Sequence, residues 1–187
     1  MEKNDAQLIA DYLDGDERAF DSLVHRYLQT IHTFVYRLVG SATDAQDITQ
    51  EVFVRAWKHL KTYTDRYTFK TWILAIARNA SIDFLRKRKQ LTFSDFEAEG
   101  DELWEATIVD HEQLLPDALA ERASNKLLLE RYITKLSVEM REVILLHYIE
   151  DLTFREIAEI VGRSLNTVKS RHQRAIARLR TFLDAPE

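Results

Sequence analysis

Between Arg163 and Arg180 the chain carries side chains suited to reading nucleic acid. Asn166, Lys169, Ser170, Gln173 and Arg174 recur at spacings that place them on the outer side of one helix. Lys169 and Arg174 can donate to guanine O6 and N7, Gln173 can pair bidentately with adenine, and Ser170 can meet either kind of base. Arg163, Thr167 and Arg171 suit phosphates, where a contact sets register without reading sequence. A second group interleaves rings and cations: Lys61, Tyr63, Arg66, Tyr67, Phe69, Lys70 and Trp72. Unstacked bases can rest on such rings while the cations hold the backbone. Phe69 and Trp72, three apart at a helix start, have a rival role in the core, which leaves Tyr63 and Tyr67 as the better surface candidates. Arg78, Asn79, Asp83 and the cluster Arg86 to Lys89 can prolong the basic track, although a terminal basic cluster also complements a helix dipole.

A third group is acidic. Asp47, Gln50 and Glu51 lie three and four residues apart and share one helical face, which Asp44 extends. Two readings stand side by side: a solvated surface, or a docking face for a basic partner protein. Nothing near it supplies a nucleophile, a phosphate loop or a metal-ligand cluster, so neither catalysis nor a cofactor is expected. The six histidines are scattered without a close pair at ligand spacing, and no metal site is expected. His172 interrupts the inward side of its helix and belongs at the edge of the core.

The elements that must position these groups are helices. Thr153 and Glu156 form a capping box for a helix with Ile157, Ala158, Ile160 and Val161 inside, and Gly162 ends it. Ser164 can cap the next, which turns Leu165, Val168, Ile176 and Leu179 inward. This is a helix-turn-helix, whose second helix fits the DNA major groove. Upstream, Lys126 to Lys135 and Glu139 to Ile149 read as two further helices of a small bundle. The N-terminal part reads as four helices. Asp5 to Tyr12 is short; after Gly15-Asp16 comes a long helix with Phe20, Leu23, Val24, Tyr27, Leu28, Ile31, Phe34, Val35 and Leu38 inward, stopped by Gly40. Thr43 and Gln46 suggest a capping box for a third, running to about Leu60 with Ile48, Val52, Ala56 and Trp57 inside. A fourth runs from about Phe69 to Arg88 on Trp72, Ile73, Ile76, Ala77, Ala80 and Leu85.

The fold class expected is all-α. Residues 1–90 form one small helical domain, residues 122–187 a second containing the helix-turn-helix, and an acidic, flexible linker spans 91–121. The whole chain of 187 residues has a net charge of −5, which on its face argues against nucleic acid. The average misleads, because ten acids and no lysine or arginine occupy Leu91 to Glu121, and the remainder is mildly basic. Local patches, not net charge, steer a protein to phosphate. The linker's apolar residues, including Phe93, Phe96, Leu103, Trp104 and Ile108, follow no long amphipathic period and suit either a solvated tether or a docking strand. Cysteine is absent, and the N-terminus has no apolar signal core, so a reducing, cytoplasmic location is expected. No apolar run reaches the roughly 20 residues a membrane span needs.

Three ordered segments then carry a resemblance: DAQDITQEVFVRAW from Asp44 to Trp57, FKTWILAIARNASIDFLRKRK from Phe69 to Lys89, and REVILLHYIEDLTFREIAEIVGRSLNTVKSRHQRA from Arg141 to Ala175. Together they resemble the bacterial extracytoplasmic-function (ECF) sigma factors, the minimal two-domain members of the sigma-seventy family. The resemblance implies a promoter-specificity subunit that performs no chemistry, binds core RNA polymerase through its β′ clamp and its β subunit, and nucleates strand opening. It implies that Asp47, Gln50 and Glu51, with Arg55 beside them, meet the clamp. Lys61, Tyr63, Arg66, Tyr67, Lys70, Trp72, Arg78 and Asn79 are implied to capture the separated strand of the minus-ten element, and Arg163, Asn166, Thr167, Lys169, Ser170, Arg171, Gln173 and Arg174 to engage the minus-thirty-five duplex. An anti-sigma partner and a monomeric free state are further implications. Ser137 stands where the family usually has proline, Asn166 where glycine commonly opens the recognition helix, and His172 where an aliphatic residue is usual. The rival expectation is a dimeric helix-turn-helix regulator that binds a palindrome without polymerase.

Overall fold

The computed structural model of the protein describes residues 3–92 and 132–184, and within these every regular element is helical. The N-terminal group comprises α1 (Asp5–Leu13), α2 (Glu17–Val39), α3 (Ala42–His59), a 3-10 turn (Leu60–Thr62) and α4 (Phe69–Thr92). The C-terminal group comprises α5 (Val138–Tyr148), α6 (Phe154–Val161) and α7 (Leu165–Asp184), preceded by a helical stretch at 132–134.

Helix α2 is the spine of the first group and packs on α1, α3 and α4. Its inward stripe of Leu23, Ile31, Phe34, Val35 and Leu38 is almost wholly withdrawn from water and meets Ile48, Val52 and Ala56 of α3 and Phe69, Ile73, Leu74 and Ala77 of α4. Asp16 caps α2 through the amide of Arg18, and Gly40, left-handed at φ 83°, stops it. In the second group Val143, Ile144, Leu145 and Leu146 of α5 close on Ile157 of α6 and Val168, Ala175 and Leu179 of α7. The two groups touch: α4 packs against α6, and α2 against α5.

Several local expectations change. Ser41, not Thr43, caps α3, accepting from the Asp44 amide, because the left-handed Gly40 already turns the chain and α3 starts at Ala42. Trp57 is 52% exposed and Leu28 45%, although their periodicity placed them inside. Both lie at the margin of a wide apolar stripe, and the fully buried Leu23, Ile31, Val52 and Ala56 fill the space they would otherwise occupy. Leu165, expected inward, is likewise 39% exposed, since it sits in the first turn of α7 before the helix reaches the bundle. Helix α4 extends to Thr92, past the expected end near Arg88. Most of the expected Lys126–Lys135 helix, and the acidic segment with its candidate docking residues from Phe93 to Ile108, lie outside the described residues.

Candidate nucleic-acid interface

The reading helix is fixed at its start by a chain of caps. Thr153 and Glu156 make the reciprocal capping box of α6, with the Glu156 carboxylate accepting from the Thr153 amide at 2.9 Å. Gly162 then takes φ 63°, which costs an L side chain about 1–2 kcal/mol. Ser164 follows, its hydroxyl accepting from the Thr167 amide at 3.2 Å. These three devices set the angle at which α7 leaves the turn. Val168, Ala175, Ile176 and Leu179 anchor it to α5 and α6, leaving Asn166, Lys169, Ser170, Gln173 and Arg174 exposed together on its opposite side, with Arg163 just before the helix. Thr167 is half-buried and bonded to the Ser164 hydroxyl at 2.9 Å.

Arg171 departs from this row. It turns inward, and its Nη1 donates to Glu142 Oε1 at 3.1 Å. Glu142 is wholly buried in α5, and it receives a second guanidinium from Arg78 of α4, whose Nε donates at 2.8 Å. Burial pushes the Glu142 carboxyl up from its ordinary value, and the two arginines oppose that rise. Arg171 is therefore a fastening between α7 and α5 rather than an outward phosphate contact in this conformation.

His172 lies at the edge of the core, as its position suggested. Its Nε2 meets the Tyr148 hydroxyl at 2.7 Å, and its ring packs edge-on to His147, centroids 5.4 Å apart. Burial first, and the neighbouring His147 second, push His172 down to about 4, so it is neutral at physiological pH. His147 shares this cluster, stacked on Phe154 with its Nδ1 on the Leu152 carbonyl at 2.8 Å; a carbonyl only accepts, so Nδ1 carries the proton. Linear spacing hid the pair, because twenty-five residues and two turns separate its members. Among the described residues no group of three or more metal-ligating side chains comes together.

The aromatic–basic segment folds over the start of α4. Phe69 is buried and meets Tyr63 and Trp72, while Tyr27 of α2 closes the far side at 5.3 Å. Trp72 and Tyr63 are half-buried, edge to face at 5.3 Å, and the Tyr63 hydroxyl donates to the Tyr67 carbonyl at 2.6 Å. Tyr63, expected as a surface ring, thus braces the loop from beneath. Tyr67 carries the guanidinium of Arg66 over its ring at 5.2 Å. Lys61, Arg66 and Asn79 are exposed. On α3, Asp47, Gln50 and Glu51 form an exposed face, Arg55 pairs with Glu51 one turn away, and Val54 and Trp57 stand exposed beside them. Exposed apolar side chains rimmed by charge are what a protein-docking surface presents. Periodicity alone had assigned Trp57 to the core and so missed it.

Comparison with known proteins agrees with this geometry. The sigma-70 region 2 family model matches residues 23–90, and the sigma-70 region 4 model matches residues 126–179. The ECF RNA polymerase sigma factor SigW of Bacillus subtilis is 34% identical over 90% of this chain and 91% of its own length. The ECF RNA polymerase sigma-E factor of Escherichia coli is 31% identical over 91% of this chain and 90% of its own. Among solved structures, CnrH in complex with the cytosolic domain of CnrY superposes with a TM-score of 0.68 at 27% identity, covering 98% of this chain and 99% of that one. The same fold is found, at 23% identity and a TM-score of 0.68, in RpoE of Bartonella quintana, solved with the anti-sigma factor NepR and covering 90% of this chain and 98% of that one. Matches to both sigma regions in one chain, each falling on a surface described above, do not favour a dimeric regulator. The chain belongs to the sigma-70 family and is an RNA polymerase sigma factor of the ECF type.

Proposed function

We propose that residues 1–90 dock on core RNA polymerase and hold the opened minus-ten strand, that residues 122–187 read the minus-thirty-five duplex, and that the acidic stretch 91–121 joins them. The α3 face of Asp47, Gln50, Glu51 and Arg55 meets the β′ clamp, with Val54 and Trp57 supplying its apolar part. Lys61, Arg66, Tyr67, Lys70 and Asn79 take the separated strand, the Tyr67 ring holding a base while the cations follow the backbone, and Arg78, like Arg171, is engaged by the buried Glu142. Tyr63 and Trp72 support that surface from below. Arg163, Asn166, Thr167, Lys169, Ser170, Gln173 and Arg174 engage duplex, and Asn166 adds an amide where the family commonly has glycine.

The observation that carries this reading is the outward row on α7, held rigid by the Thr153, Gly162 and Ser164 devices, in a chain that also presents a ring-and-cation surface on α4. Two modest contacts on one scaffold act multivalently, so the free protein binds promoter DNA weakly and gains specificity only with polymerase. The protein performs no reaction itself; polymerase makes the RNA. It works as a cytoplasmic monomer, and family membership supports an anti-sigma partner that covers these surfaces. Among the described residues no helix is long and apolar enough to cross a membrane.

The test is transcription of fragmented genomic DNA by sigma-free core polymerase, with and without the protein. New start sites preceded by two shared upstream elements are expected. Stable DNA binding with no new starts would return the dimeric-regulator reading.

A further inference from the structure

His172 stands where the family usually has an aliphatic residue, and the fold gives it a specific partner. Its Nε2 lies 2.7 Å from the hydroxyl of Tyr148, the last residue of α5, and the two rings stack with centroids 5.5 Å apart. Phe154, the first residue of α6, packs edge-on to His172 at 4.9 Å and stacks on His147 at 4.4 Å. His147 in turn bonds the Leu152 carbonyl across the α5–α6 turn. Four rings from three helices thus meet behind the reading face of α7, and all four belong to the C-terminal group.

The remaining hold on α7 is mostly apolar. Val168, Ala175, Ile176 and Leu179 keep the helix against its neighbours, but hydrophobic contact is non-directional and tolerates a small rotation about the helix axis. Hydrogen bonds weaken steeply when their angle changes. Two successive residues of α7 supply them: Arg171 bonds Glu142 at 3.1 Å, and His172 bonds Tyr148. Their partners lie six residues apart on α5, about 9 Å along its axis, so α7 is fixed at two separated points and has little freedom to turn. Gln173 and Arg174 follow directly in the chain. Side-chain tips stand about 5–6 Å from a helix axis, so a rotation of about 15° carries them roughly 1.5 Å, enough to break a bidentate pair with a base edge. Attraction to phosphate falls off slowly with distance and survives such a shift.

We propose that His172 is a positioning residue for promoter reading: its bond to Tyr148 fixes the rotation of α7 and so decides which base edges Gln173 and Arg174 meet, although His172 itself lies behind the helix and touches no base. An aliphatic side chain at this position fills the space but offers the Tyr148 hydroxyl no partner, so it holds the helix in place without holding its angle. The upstream sequence that this protein prefers thus depends on a pair of residues facing the core. This inference deepens the duplex-reading assignment of Gln173 and Arg174 and rests on it.

The test forms holoenzyme from core polymerase and the full chain, incubates it with a random-sequence duplex library of promoter length and sequences the bound fraction. It compares the unaltered protein with Tyr148→Phe, His172→Leu, their double substitution, Gln173→Ala and Arg174→Ala. The two alanine variants identify the base pairs that α7 reads. At those base pairs Tyr148→Phe and His172→Leu are each expected to lower base preference about tenfold, within the range that one bidentate contact supplies, while the total DNA retained stays within about twofold. The double substitution goes no further than either alone, because both remove the same bond. Unaltered preferences overturn the proposal, as does a uniform loss of binding with preferences intact, which is what a merely destabilised domain gives. A loss with His172→Leu that Tyr148→Phe does not share, or that adds to it, assigns the effect to packing and overturns the bond as its cause. If neither alanine variant alters any base pair, the duplex-reading assignment falls and the inference with it.

Discussion

Glu142 loses all contact with solvent, and two guanidiniums take the place of its water. Such a carboxylate is strongly coupled to its partners, because removing either leaves charge buried without compensation. His172 shows the opposite solution, staying neutral inside a cluster with Tyr148, His147 and Phe154. Its folded pKa of about 4 lies below the ordinary 6.5, so above pH 6.5 the ring is neutral in both folded and unfolded chains. As pH falls from 6.5 towards 4, the unfolded chain takes up a proton the folded one refuses, and stability is lost across that window. His172→Leu therefore flattens the acid side of the stability profile by about 2 kcal/mol, after allowance for partial exposure. Urea denaturation of both proteins at neutral and mildly acid pH measures the difference; parallel profiles would remove His172 as the source.

At the scale of the element, short helices depend on their ends. Helix α6 has only eight residues, too few to persist alone, and is held by its capping box, by Gly162 and by packing of Ile157, Ile160 and Val161. Thr153→Ala removes one half of that box and is expected to cost about 1 kcal/mol in chemical denaturation. The loss extends to function, because α6 sets the departure angle of α7: duplex binding should weaken in proportion to the loss of stability. Thr153→Ser, which keeps the hydroxyl, restores both. Ser137 belongs to the same account. It caps α5 by accepting from the Met140 amide, so a family position usually held by proline keeps a helix-start role through a side chain instead of a fixed φ.

On the scale of the whole molecule, the exposed α3 face proposed for docking stands apart from the Arg78–Glu142–Arg171 fastening that joins α4 to α7, so it can be changed without disturbing that packing. Glu51→Lys reverses a charge at an exposed site on α3 and breaks only the exposed pair with Arg55, a contact worth little to stability. It is expected to lower affinity for core polymerase roughly tenfold or more while the melting temperature holds. Binding to labelled core enzyme measures this, and unchanged affinity removes the docking assignment from that face.

Much of this protein is determined by local sequence. Capping residues, left-handed glycines and apolar periods act over a few residues, so the helices, the Thr153–Glu156 box, the Gly162 turn and the outward row of α7 are legible before any packing is known. The family motifs lie within those same stretches. What the sequence could not settle depends on groups far apart in the chain. Trp57 and Leu28 satisfy a helical period, yet only competition for finite core volume decides that they stay outside. Arg171 and Arg78 read as phosphate contacts until tertiary packing supplies Glu142, and His147 finds His172 only after two turns are folded. The same holds for Lys70 with Glu150. Charge pairing depends on distance in space, which the chain's linear order does not encode and only the packed helices impose.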